Sequence, residues 1–96
     1  MSWGVRLQDE RGKPVINEDA DIDFELVYAV ASHKLLRYIE PYGDTVFNRR
    51  QMDDFIEGWK LIQPKTAEQR QEWEKVLRMA TQCKDEVHLY LKFIGQ

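Results

Sequence analysis

Apolar and polar residues alternate from the first positions of the chain, with Trp3, Val5 and Leu7 set against Ser2, Gly4, Arg6 and Gln8. Successive side chains of a strand leave opposite faces of the backbone, so this period of two predicts a half-buried strand over about 3–8. Asp9-Glu10-Arg11-Gly12-Lys13-Pro14 is dense in turn formers, and Val15-Ile16 reads as a short return strand, with Pro14 suiting an edge because it cannot donate to a ladder. Ile22, Leu26, Ala29, Val30 and His33 then recur at helical spacing, widened by Phe24, Val27 and Tyr28, and predict a helix over about 22–33. Leu35 to Ile39 is short, branched or aromatic and ends at Glu40-Pro41-Tyr42-Gly43-Asp44, which predicts a strand closed by a turn.

Asn48 followed three residues later by Gln51 is a capping-box pattern, and Met52, Phe55, Ile56, Trp59 and Ile62 hold one helical face up to Pro64, predicting a helix over about 49–62. Thr66 and Gln69 repeat the pattern ahead of Trp73, Val76, Leu77, Ala80 and Cys83, predicting a second helix over about 67–84. Val87, Leu89, Leu91 and Phe93 alternate with His88, Tyr90 and Lys92, predicting a last strand that points the first set inward. The order groups into an α+β fold. It is a single small antiparallel or mixed sheet of three to four strands, with a helical hairpin and a further helix packed on one face.

Composition narrows the picture. Ninety-six residues suit one domain over 1–96 with one core. Leu, Ile, Val and Phe number 25 of 96, against 32% charged residues and a net charge of −3, which excludes a disordered chain. No apolar run approaches the roughly 18 residues of a membrane span. The start Met-Ser-Trp-Gly-Val-Arg lacks the basic and apolar regions of a signal peptide, so no membrane contact and a cytoplasmic location are expected. One cysteine, Cys83, and two histidines exclude an intramolecular disulfide and a Cys/His-rich zinc site; no metal and no cofactor are predicted. A pI near 5.4 argues against a nucleic-acid partner. Charge is uneven, however: residues 1–48 hold nine acids and five bases (−4), residues 49–96 eight acids and nine bases (+1).

Glu40-Pro41-Tyr42-Gly43-Asp44-Thr45, the helix start Asn48-Arg49-Arg50-Gln51-Met52 and the final His88-Leu89-Tyr90-Leu91 resemble a family of small bacterial proteins with no assigned activity. The resemblance covers most of the chain apart from about 17–34. It implies a bacterial, cytoplasmic setting and supplies no catalytic residue.

Several segments have both a functional and a structural reading. Tyr42, Asp44 and Thr45 suit a binding loop, since Gly43 lets backbone amides approach a ligand; the same residues suit a tight turn whose side chains bond their own backbone. Arg49 and Arg50 stand in a first helical turn, where cations oppose the dipole. Asp53 and Asp54 four residues on are expected to neutralise them; failing that, the guanidiniums beside Asn48 form an anion site. Asp19-x-Asp21-x-Asp23 opens like a calcium loop, but Phe24 and Val30 occupy positions that need glycine and a carboxylate, so helix-start electrostatics are the preferred reading. His88, Tyr90 and Lys92 share one face of the predicted last strand, beside Arg6 and Gln8 if first and last strands pair. Such a face is either an interaction surface or an ordinary solvated one. Cys83, Trp59 and Trp73 read as core, and Gly58 as a close-packing position in a helix, where glycine costs about 1 kcal/mol.

Only two serines, Ser2 and Ser32, no nucleophile elbow and no phosphate-cradling glycine loop leave Asp44 with His88 as the one pairing open to catalysis. The leading expectation is therefore a small protein-binding module, inhibitor-like or immunity-like, acting through an exposed sheet face and the Tyr42 to Arg50 edge rather than as an enzyme. A homo-oligomeric structural protein is the alternative. A ligand binder or enzyme using Asp44, Asn48, Arg49 and His88 comes third.

Overall fold

The computed structural model describes residues 1–95. Four strands, β1 (Ser2–Asp9), β2 (Ala20–Asp23), β3 (Thr45–Asn48) and β4 (Leu89–Ile94), form one antiparallel sheet in the order β2-β1-β4-β3. The first and last strands are the central pair, with Gly4 opposite Ile94, Arg6 opposite Lys92 and Gln8 opposite Tyr90. Their alternation survives intact: Trp3, Val5, Leu7, Leu91 and Phe93 are fully buried. Val87 is the exception to the predicted inward set. It is 59% exposed, because the chain is still reversing at His88, whose φ of 64° is left-handed, and strand geometry begins only at Leu89.

The predicted hairpin forms in miniature. Asp9 Oδ1 accepts from the amides of Arg11 and Lys13 at 2.9 Å each, and Gly12 takes the positive φ that closes the turn. The return is a single bridge between Gln8 and Pro14, and the partner strand of β1 is instead Ala20–Asp23. Ile22 thus belongs to a strand, not to the predicted helix. Ala20 and Ile22 satisfy a period of two against β1, and the helix that follows, α1 (Phe24–Tyr28), stops after five residues. The segment predicted as a strand over Leu35 to Ile39 is a 3-10 turn, Leu36–Tyr38. Leu36 in the turn and Ile39 just after it are buried three residues apart, the period of that turn and not of a strand.

The remaining helices, α2 (Met52–Trp59) and α3 (Ala67–Asp85), make the predicted pair. Both capping boxes are present, Asn48 with Gln51 and Thr66 with Gln69, the first opening a short 3-10 turn over Arg49–Gln51 ahead of α2. All three helices press on the sheet face that carries Trp3, Val5 and Leu7. The core between them is aromatic: Phe55 stacks on Trp59 at 5.3 Å, and Phe93 meets Phe47, Phe55 and Trp59 at 6.1, 5.9 and 5.9 Å. The indole N–H of Trp59 donates to the Trp73 carbonyl (3.1 Å), and that of Trp73 donates back to the Trp59 carbonyl (3.0 Å), locking α2 to α3 without leaving a buried donor unpaired.

Candidate functional site

With the helical layer on one side, the opposite sheet face is left to Gly4, Arg6 and Gln8 of β1, Tyr90, Lys92 and Ile94 of β4, and Val46 and Asn48 of β3. Register sets them in rows, Arg6-Lys92-Val46 and Gln8-Tyr90-Asn48. Arg6 and Lys92 are like charges directly opposite one another, which alone is destabilising. Each is balanced by a carboxylate from the rim. Arg6 grips Asp19 with two nitrogens (3.1 and 2.9 Å), and Lys92 faces Asp44 at 3.4 Å.

The face runs at one end into a hollow of about 500 Å³ lined by Asn48, Arg49, Arg50, Val87, His88, Leu89 and Tyr90. The structure therefore gathers five residues that sequence reasoning singled out, though not by the predicted route. His88 precedes β4, so it does not share the strand face of Tyr90 and Lys92; its Nδ1 faces Glu10 at 3.5 Å. The carboxylates expected to neutralise the arginines are taken by lysines of neighbouring elements, Asp53 by Lys84 (2.7 Å) and Asp54 by Lys34 (3.2 Å). Arg49 turns to the C-terminal end of α3, where its Nε donates to the Lys84 carbonyl at 2.8 Å. Arg50 is exposed and has no hydrogen-bond or ion-pair partner among the described residues.

At the far end of β3, the Thr45 hydroxyl accepts from the Glu40 amide (2.9 Å) and the Glu40 carbonyl accepts from the Trp3 indole (2.9 Å). Thr45 thus serves the turn, while Tyr42 stands clear of it, 73% exposed. Asp44 lies beyond the Thr45-Phe93 end of the ladder and His88 beyond its Asn48-Tyr90 end. At about 3.3 Å per residue they are more than roughly 10 Å apart, and the catalytic pairing is not formed. Asp19, Asp21 and Asp23 are separated as well. Asp19 serves Arg6, Asp23 accepts from Gln69 at 3.3 Å, and no group of three metal-ligating side chains is formed among the described residues. The helix-start role expected of them reduces to Asp23, which caps α1 without a side-chain bond.

No family model, curated protein or solved structure matches the chain. The meaning of the face therefore rests on its own chemistry.

Two features escaped sequence reasoning. One is β3 itself, four residues between a turn and a helix cap, in which only the contrast of exposed Val46 with buried Phe47 signals a strand. The other is a second hollow, of about 310 Å³, between α1 and the α2–α3 connection, lined by Leu26, Val30, Leu61 and Ile62 among others. Leu61 is 59% exposed there, two residues past Trp59, where α2 ends although the apolar stripe runs on to Ile62.

Cys83 is buried, its thiol 3.4 Å from the Leu89 carbonyl, and burial pushes its pKa up to about 11. An unfolded thiol titrates near 8.5, so at pH 8 the native thiolate fraction is roughly two hundredfold lower. Aromatic-disulfide labelling of the native protein at pH 8 is expected to be slower than that of the urea-unfolded chain by at least this factor. Equal rates would place the thiol in solvent. Because the folded pKa exceeds the unfolded one, this contribution to stability is complete below about pH 8.5 and is lost as pH rises toward 11. Cys83→Ala should lack that alkaline decline relative to the parent protein.

Proposed function

We propose that the protein is a binding module that docks a protein partner on the outer sheet face and holds an acidic side chain of that partner in the adjoining hollow. The observation that carries this reading is Arg50, a guanidinium with no partner among the described residues, beside Asn48, His88 and Tyr90 at the end of a face that no helix covers. Arginine and tyrosine are the side chains that interfaces favour, since each offers planar contact area with few torsions to freeze. Arg6 and Lys92, already balanced by Asp19 and Asp44, supply paired charges at the middle of the face. The mode of action is occlusion, inhibitor-like or immunity-like, and assigns no catalytic role to any residue.

Immobilised protein passed over a bacterial lysate is expected to retain a discrete acidic partner. Arg50→Glu and Tyr90→Ala should each weaken it at least about tenfold, the 1.4 kcal/mol or more typical of a central contact. Both residues lie outside the core, so the variants should unfold within a few degrees of the parent. Retention of no partner, or unchanged binding by both variants, would sink the reading.

A further inference from the structure

The two edges of the sheet are treated differently. On the β2 side, the outward amide of Asp21 donates to Glu72 of α3 at 3.0 Å. Farther along, where β2 has ended, the edge of β1 is met by the Val15 amide, which donates to the Leu7 carbonyl at 2.9 Å. That edge is protected from pairing with another chain, as exposed edges in folded proteins commonly are. The β3 edge is not.

The Gly95 amide donates to the Gly43 carbonyl at 3.1 Å, which sets the phase of the β3–β4 ladder. Hydrogen-bonded and non-hydrogen-bonded pairs alternate along an antiparallel ladder. Thr45 and Phe47 therefore bond to β4, while Asp44, Val46 and Asn48 turn their backbone groups outward. The Asn48 amide is satisfied by Gln51 Oε1 at 2.9 Å. Among the described residues nothing meets the N–H or C=O of Val46, whose side chain is 48% exposed on the outer face.

The geometry points to a second copy of this chain as the occupant of that edge, joined across a two-fold axis with Val46 opposite Val46. The inference goes beyond the partner-binding reading and does not rest on it; because both engage Arg50, a docked partner and the second copy would exclude one another there. An antiparallel pairing in this register lets each Val46 amide donate to the other Val46 carbonyl and covers the two valine side chains with one another. It also sets Asp44 opposite Asn48 of the second copy, and Arg50 follows Asn48 by two residues in the 3-10 turn that closes the strand, so each Asp44 carboxylate meets the end of the other β3 from which that guanidinium projects, twice by symmetry. Shifting the register to centre on Asp44 would instead oppose two carboxylates, which disfavours it. The result is a continuous eight-stranded sheet with both outer faces on the same side.

A contact built on one short strand is smaller than a standard interface, so dissociation is expected on the order of 100 µM. Sedimentation equilibrium at low salt, from about 5 to about 500 µM, should show the mass rising from 11.5 kDa toward twice that value. Val46→Pro removes only an outward amide and keeps the Thr45 and Phe47 bonds to β4. Thr45 is already extended, as a residue before proline must be. This variant should fold and remain monomeric throughout the range.

Asp44→Lys and Arg50→Glu should each weaken self-association at least about tenfold by placing like charges across the axis, and an equimolar mixture of the two should recover it as a heterodimer. That mixing result stands even if the proline variant folds poorly. A parent protein that stays monomeric at the highest concentration overturns the inference, as does a mixture that recovers nothing. So does a dimer that survives Val46→Pro and is lost in Tyr90→Ala, which would place self-association on the sheet face.

Discussion

Trp59→Ala is expected to leave the protein close to its unfolding threshold at 25 °C. The side chain is fully buried, stacks on Phe55 at an interplanar angle of 14° and meets Phe93 edge-on. Truncating a buried tryptophan costs about 3–5 kcal/mol through lost transfer energy and residual cavity. Removing the indole donor also takes away its hydrogen bond to the Trp73 carbonyl, which keeps its partner inside α3, adding about 1 kcal/mol. A domain of this length has about 5–14 kcal/mol in total. Urea unfolding followed by far-ultraviolet circular dichroism should show the midpoint falling by most of its value, while Trp59→Phe, which keeps the stacking partner and loses only the donor, should cost about 1–2 kcal/mol. A loss below about 2 kcal/mol in Trp59→Ala would mean that the helices are held elsewhere.

Gly58→Ala is the second large effect, and its sign runs against helix propensity, which favours alanine by about 1 kcal/mol. A Cβ at position 58 would stand 2.6–2.8 Å from three ring atoms of His33. The ring has nowhere to retreat. Its side chain is 7% exposed, and Nδ1 accepts from the amides of Leu35 and Leu36 at 3.2 and 3.3 Å, which tie it to the 3-10 turn. Its Nε2 lies 3.5 Å from Glu57, too far and too poorly aligned for a hydrogen bond, so it adds no compensating anchor. Overpacking of this kind costs about 1–3 kcal/mol beyond the propensity gain. Thermal unfolding should show Gly58→Ala losing that amount, and the loss should shrink sharply when measured on a His33→Ala background. Equal losses on the two backgrounds would mean that the contact is not the cause.

How much of this was legible beforehand follows from how many constraints each segment satisfies at once. β1, β4 and α3 each combine a single clean period with a buried face long enough to outvote local preference, and α3 adds a capping box. The middle of the chain does not. Ile22 and Leu26 are four apart and fit a helix, while Ala20 and Ile22 are two apart and fit a strand; only the pairing of β1 decides between them. Leu36 and Ile39 are buried at a spacing that a five-residue apolar run conceals. At the candidate site, Arg6, Gln8, Tyr90 and Lys92 were readable because strand alternation alone assigns their face. Arg49 was not, since the carbonyl it serves, that of Lys84, lies 35 residues away in sequence. The same long-range contest freed Arg50: lysines of distant elements reached its prospective carboxylates first.

The pairing of β1 with β4 at the centre of the sheet bears on the order in which the molecule is assembled during translation. Until Leu89–Ile94 has cleared the ribosome, β1 lacks its principal neighbour and β3 has none at all. Nascent chains halted before that point should consequently be protease-sensitive and stay in the care of chaperones, with native structure arriving in one late step rather than by increments.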